Sequence, residues 1–99
     1  ICSAPVPEDY TLSQNYPNPF NPVTLINYSV PEDADLSLVI YDISGREVAR
    51  LVSGFQRSGF YQIRWDGKSD QGLSLASGVY LYRLKSGSFA DTKKMLLLK

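Results

Sequence analysis

Ser58-Gly59-Phe60-Tyr61-Gln62-Ile63-Arg64 is echoed downstream by Ser77-Gly78-Val79-Tyr80-Leu81-Tyr82-Arg83. After each glycine the side chains alternate. Tyr61, Ile63 and Trp65 share one parity, against Phe60, Gln62 and Arg64; Tyr80, Tyr82 and Leu84 share one, against Val79, Leu81 and Arg83. A period of two in a stretch rich in aromatic and β-branched residues is the pattern of a half-buried strand. The flanks of the two stretches differ, so this is one strand-opening device used twice. Five of the seven glycines follow serine, at 44–45, 53–54, 58–59, 77–78 and 86–87. Each pair falls at a strand boundary or turn.

Working outward, the same period recurs. Val23–Val30 places Ile26, Tyr28 and Val30 on one face and Asn27 and Ser29 on the other. Pro31 ends it, and Glu32–Asp35 forms a polar turn. Leu36–Ile43 alternates Leu36, Leu38 and Ile40 with Ser37, Val39 and Tyr41. Asp42-Ile43-Ser44-Gly45 turns, with Gly45 free to take a positive φ. Arg46–Val52 reads as the hairpin partner, although Val48–Val52 is also compatible with one helical turn. Residues 66–78 form a long connection, Ser86-Gly87-Ser88 turns, and Phe89–Leu98 is the last strand. About seven short strands with turns every 8–12 residues predict an all-β, immunoglobulin-like antiparallel β-sandwich. The Cys…Trp…Cys marker of antibody domains is missing, so the expectation concerns architecture.

The N-terminal side is of another kind. All six prolines lie at or before Pro31, and three of them fall in Asn15-Tyr16-Pro17-Asn18-Pro19-Phe20-Asn21-Pro22. Proline fixes its own φ, lacks a donor and pushes the preceding residue toward extended backbone. We expect a stiff, non-hydrogen-bonded loop, with Tyr16 and Phe20 packed beneath it to cap one end of the sandwich. Residues 1–9 read as a linker or the end of a preceding domain, and 10–99 as the domain itself.

The 99 residues contain no histidine and one cysteine, Cys2. That removes the commonest general base and metal ligand, and any internal disulfide. Cys2 reads as a linker residue; an intermolecular disulfide or lipid attachment is the alternative. No run approaches the ~18–20 apolar residues of a membrane span, and no signal peptide is evident. Residues 1–45 carry six acids and no base, while 46–99 carry ten bases and four acids. The halves are expected to interleave, and the scattered bases indicate no nucleic acid. The acids fall in turns, so no enzyme and no cofactor is implied. Asp66 and Asp70 are a weak calcium candidate, because Lys68 occupies the alternating position between them. Tyr28, Tyr61, Trp65, Tyr80 and Tyr82 read as core. Tyr41, Phe55 and Phe60 are the aromatics available to a polysaccharide.

Four blocks carry a family resemblance. They are Leu12–Pro22 running into Thr24–Tyr28 and Pro31; Val39–Val48; Trp65-Asp66-Gly67 with Gly72 and Ser77-Gly78-Val79-Tyr80; and Lys93–Lys99. Together and in this order they resemble the C-terminal sorting domain (type A) of the bacterial type IX secretion system. The opening block is also similar to the immunoglobulin-like domain of the flagellar hook-capping protein. The resemblance implies a non-catalytic module directing an upstream cargo domain of the same precursor across the outer membrane. Its partner would be the outer-membrane secretion machinery. Its route would be the periplasm in transit, then the cell surface or medium. A hook-capping-type assembly domain, or a carbohydrate-binding or spacer module, is the alternative. Pro17, Asn18, Pro19, Phe20, Gly45, Trp65, Asp66, Gly67, Gly78 and Tyr80 are the motif residues, with a structural role. Translocon recognition is expected at Lys93, Lys94, Met95, Leu96, Leu97, Leu98 and Lys99. Read as an edge strand, that block would offer unpaired backbone to strand addition, guarded by lysine.

Overall fold

The alternating stretches form the strands of a computed structural model that describes residues 7–87 and 89–98; Cys2, Ser88 and Lys99 lie outside them. In chain order the strands are β1 (Thr11–Leu12), β2 (Thr24–Val30), β3 (Ala34–Asp42), β4 (Glu47–Gln56), β5 (Gly59–Trp65), β6 (Gly78–Ser86) and β7 (Phe89–Leu97). They make two antiparallel sheets, ordered β1-β2-β5 and β4-β3-β6-β7. This is the expected immunoglobulin-like β-sandwich of seven strands.

The core lies where the period of two put it. Ile26, Tyr28 and Val30 face Leu36, Leu38, Ile40, Tyr80, Tyr82 and Leu84 across the sandwich, all buried. Burying each of the aliphatic side chains contributes about 1.5–3 kcal/mol. Tyr61 and Ile63 pack against this core from β5. The acidic β3 runs between the more basic β4 and β6, so the two halves of the sequence interleave in the second sheet.

Three details depart from expectation. The short β1 was not legible. It pairs Thr11 with Ser29 and Leu12 with Tyr28. The hairpin partner is a strand, as read, but it runs on to Gln56 instead of ending at Val52. Register shifts at Leu38/Val39 and Ile40/Tyr41 let it follow β3 along that length. Third, Pro7 is buried and the Asp9 carbonyl accepts a 2.9 Å hydrogen bond from Ser29 Oγ. The end of the 1–9 segment is therefore held against the sandwich. Tyr10 follows, stacked on Phe89 with ring centroids 4.8 Å apart. The chain thus enters at the pole formed by the end of β6 and the start of β7.

Candidate recognition surface

The proline-rich segment crosses from one sheet to the other. Ser13 N–H donates to the Asn27 carbonyl at 2.9 Å. Tyr16 and Leu25 then exchange a reciprocal pair of backbone bonds, 2.9 Å each. At its far end Phe20 N–H donates to the Leu96 carbonyl at 3.0 Å, and Leu98 N–H donates to the Phe20 carbonyl at 2.9 Å. Two side chains complete the seam: Gln14 Nε2 donates to the Lys94 carbonyl at 2.7 Å, and Asn18 Oδ1 accepts from Leu96 N–H at 3.1 Å. The segment is a strap joining the edge of β2 to the edge of β7. The expected non-hydrogen-bonded loop is corrected on this point. Proline removes its own donor only, and Tyr16 and Phe20 keep theirs.

Asn15 fixes the turn of the strap. It is 2% exposed, and its N–H donates to Tyr82 Oη at 2.8 Å. Its Nδ2 donates to the Pro17 carbonyl at 3.1 Å and to Thr24 Oγ1 at 3.0 Å, while its Oδ1 accepts from Gln14 Nε2. Tyr82 Oη donates in turn to the Ser13 carbonyl at 2.6 Å. Burial pushes the Tyr82 hydroxyl pKa up to about 12; the Asn15 N–H lowers it somewhat and Asp91 adds to the rise. Asn15 and the Tyr82 hydroxyl were missed as a pair. The available signal was an asparagine opening the proline run and an inward tyrosine whose hydroxyl needs a partner.

The motif residues converge at the strap's far end. The Phe20 ring, 1% exposed, meets Trp65 with centroids 5.7 Å apart, and Trp65 meets Tyr80 edge-on at 6.0 Å. Trp65 Nε1 donates to the Lys68 carbonyl at 3.0 Å, and Tyr80 Oη to the Ala76 carbonyl at 2.6 Å. These bonds tie the 66–77 connection down. Gly67, at φ 75°, closes the arrangement: a Cβ there would lie 3.3 Å from the Pro22 carbonyl and 3.6 Å from Leu97. Gly78 opens β6 opposite Leu97. Gly45 stands apart, at φ 90° in the β3–β4 turn; hydrogen bonds from Ser44 Oγ and Arg46 N–H hold the Asp42 carboxyl there below its usual range. Gly67→Ala should cost about 1–2 kcal/mol from backbone conformation alone, with the carbonyl contact adding to it. Thermal unfolding checks this, and an unchanged midpoint would refute it.

Two expectations about this region change. Tyr16 is 78% exposed, so Phe20 alone supplies the cap. β7 is an edge strand, as expected, but the outward backbone at Lys94, Leu96 and Leu98 is engaged by the strap. Strand addition there is blocked by the chain's own segment. Met95 and Leu97 are buried, whereas Lys94 and Leu98 are exposed; Lys93 and Leu96 lie between. Lys99 lies outside the described residues.

Asp66 and Asp70 do not converge. Asp66 Oδ1 accepts from Lys68 N–H at 3.2 Å, and Asp70 Oδ1 from Arg50 N–H at 3.1 Å. Among the described residues no three acidic, cysteine or histidine side chains come together. Phe55 and Phe60 are 62% and 66% exposed, and Tyr41 is half-buried. Phe60 stands in the other sheet, and Tyr41, paired with Glu47, and Phe55, paired with Asp35, lie at opposite ends of the β3–β4 pair, so the three share no platform.

The FlgD Ig-like domain family matches residues 21–88. The chain belongs to that family. Nothing among curated proteins matches it. Of solved structures, dimeric latent PorU from Porphyromonas gingivalis is similar over 91% of this chain, with 25% identity and a TM-score of 0.74. PorZ, described as an essential bacterial surface component of the type-IX secretion system of P. gingivalis, is similar over 93%, with 20% identity and a TM-score of 0.60. FlgD from P. aeruginosa is similar over 75%, with 23% identity and a TM-score of 0.58. The matched region is 9% of the PorU chain, 12% of the PorZ chain and 58% of the FlgD chain, so this FlgD Ig-like domain corresponds to a part of each. The 91% likeness to PorU exceeds what residues 21–88 can supply. It therefore extends past them at both ends, into the strap side and into β7.

Proposed function

We propose that this FlgD Ig-like domain is a non-catalytic sorting module, which directs an upstream cargo through type IX secretion machinery to the cell surface or medium. The observation that carries this reading is the reach of the PorU likeness, over 91% of this chain, beyond both ends of the family's own match. The PorZ likeness, of similar reach, supports it. On this reading the machinery recognises the Lys93–Lys99 block through side chains, because the strap occupies the adjacent backbone. Lys94 and Leu98 point outward and carry the contact; Met95 and Leu97 hold the strand in place.

The test fuses residues 10–99 to a reporter bearing a signal peptide, in hosts with and without a working type IX translocon. Export should depend on the translocon. In the Lys94→Glu, Leu98→Glu double variant the domain should stay folded and export should fall about tenfold or more, the scale of losing one contact pair of about 1.4 kcal/mol. Secretion independent of the translocon, or none in either host, would overturn the sorting reading. The family match favours a second reading, a hook-capping-type assembly domain. It predicts no export of the reporter and retention of the domain in a flagellar hook assembly.

A further inference from the structure

Of the four sheet edges, three are guarded in different ways. β1 is only two residues long. β7 is covered by the strap at Lys94, Leu96 and Leu98 and carries Lys93 and Lys94. β4 has register shifts against its neighbour, and Asp70 clamps its edge: Asp70 N–H donates to the Val48 carbonyl and Asp70 Oδ1 accepts from Arg50 N–H, both at 3.1 Å. Bulges, lysines, short lengths and covering loops are the ordinary protections against edge pairing.

β5 has none of them. Its seven residues, Gly59–Trp65, pair with β2 without a shift and contain no proline or lysine. The direction of its free groups follows from β2. Leu25 and Asn27 turn their backbone to the strap side, bonding Tyr16 and Ser13. Thr24, Ile26, Tyr28 and Val30 therefore turn theirs to β5, where they meet Trp65, Ile63, Tyr61 and Gly59. Phe60, Gln62 and Arg64 are left with N–H and C=O aimed outward, and no described residue bonds them.

We propose that β5 is a self-association edge, pairing antiparallel with β5 of a second copy about a two-fold axis through Gln62. This is separate from the sorting reading and does not depend on it. The occupant is a second copy because the strand is complementary to itself in this one register. Centred on Gln62, all three residues with free backbone form hydrogen-bonded pairs: Phe60 with Arg64 of the second copy, Gln62 with Gln62, and Arg64 with Phe60. On the outer face a guanidinium then lies beside an exposed phenyl ring at each end, and two amides meet at the centre. On the inner face Tyr61 lies beside Ile63. A shift of one residue would set inward side chains beside outward ones. A shift of the axis to a neighbouring residue would leave free backbone groups unpaired. The paired three-stranded sheets become one continuous six-stranded sheet. Because the contact is a single strand pair, the dimer is concentration-dependent rather than permanent.

Sedimentation velocity of the full 99-residue chain over a concentration series tests this. Reversible dimerisation is expected. Gln62→Lys places like charges opposite each other at the axis and should weaken it about tenfold. That side chain is exposed and gives up one bond to Asn27 Oδ1, so folding, followed by thermal unfolding, should be retained. A second measurement fixes the register. In a Cys2→Ser background, Gln62→Cys should cross-link under mild oxidation, because hydrogen-bonded partners stand about 5.5 Å apart at Cα. Arg64→Cys should not, because its counterpart lies about 13 Å along the second strand. A chain that stays monomeric to its solubility limit, a Gln62→Lys variant that dimerises as the parent does, or equal cross-linking at both cysteines would each overturn the proposal.

Discussion

Phe20→Ala should lower the unfolding free energy by about 3–5 kcal/mol, the range for removing a fully buried phenylalanine. The ring is 1% exposed and sits between the strap and Trp65. It is also the residue whose backbone bonds β7 on both sides, to the Leu96 carbonyl and the Leu98 N–H. Losing the ring leaves a cavity that prolines at 17, 19 and 22 prevent the segment from collapsing into, since their φ angles are fixed. A small domain is stable by about 5–15 kcal/mol, so this one change removes a large share. Urea denaturation gives the number. Tyr16→Ala is the control from the same segment: with its ring 78% exposed, it should stay within about 0.5 kcal/mol of the parent. A loss below about 1 kcal/mol at Phe20 would mean that the strap is not an anchored part of the fold.

The contrast between these aromatics marks what the sequence could carry. Inside the strands, parity sorted Tyr28, Trp65, Tyr80 and Tyr82 into the core and Phe60 onto the surface, because a pleated strand allows only two directions. In the strap there is no fixed period, so nothing local distinguishes Tyr16 from Phe20. Their fates are decided by Trp65 and Leu97, far away along the chain. The same holds for edges. Lys93–Lys99 was legible as a terminal strand with lysine guards, but whether its backbone was free depended on a segment about 75 residues earlier finding it. The length of β4 was hidden for a further reason. Gly54 and Ser53 look like a turn, yet the bulged pairing with β3 carries the strand through them to Gln56. Of the candidate surface, then, the residues of the motif were readable singly. Their meeting around Phe20 and Gly67 was not.

Tyr82→Phe should cost about 1–3 kcal/mol near neutral pH, less than Phe20→Ala because the ring and its packing stay. What goes is one oxygen with two duties: donating to the Ser13 carbonyl and accepting the Asn15 N–H. Ser13 lies near solvent and can bond water, but Asn15 is buried, so its N–H becomes the costly orphan. A pH series separates this from simple loosening of the core. Burial raises the hydroxyl pKa of Tyr82, and of Tyr28, to about 12, against 10.0 in the exposed chain. For a raised pKa the unfolded state releases its proton first. The stabilisation is therefore complete below pH 10.0 and is lost as pH climbs toward about 12. The parent should lose stability across that window through both of these tyrosines, and burial raises the Tyr80 hydroxyl as well, which adds to the fall. The phenylalanine variant should start lower and fall less steeply, since one of the contributing hydroxyls has been removed. Parallel curves for parent and variant would show that the Tyr82 hydroxyl does not stay protonated in the fold, and the two hydrogen bonds would then be the wrong account of how the strap is held.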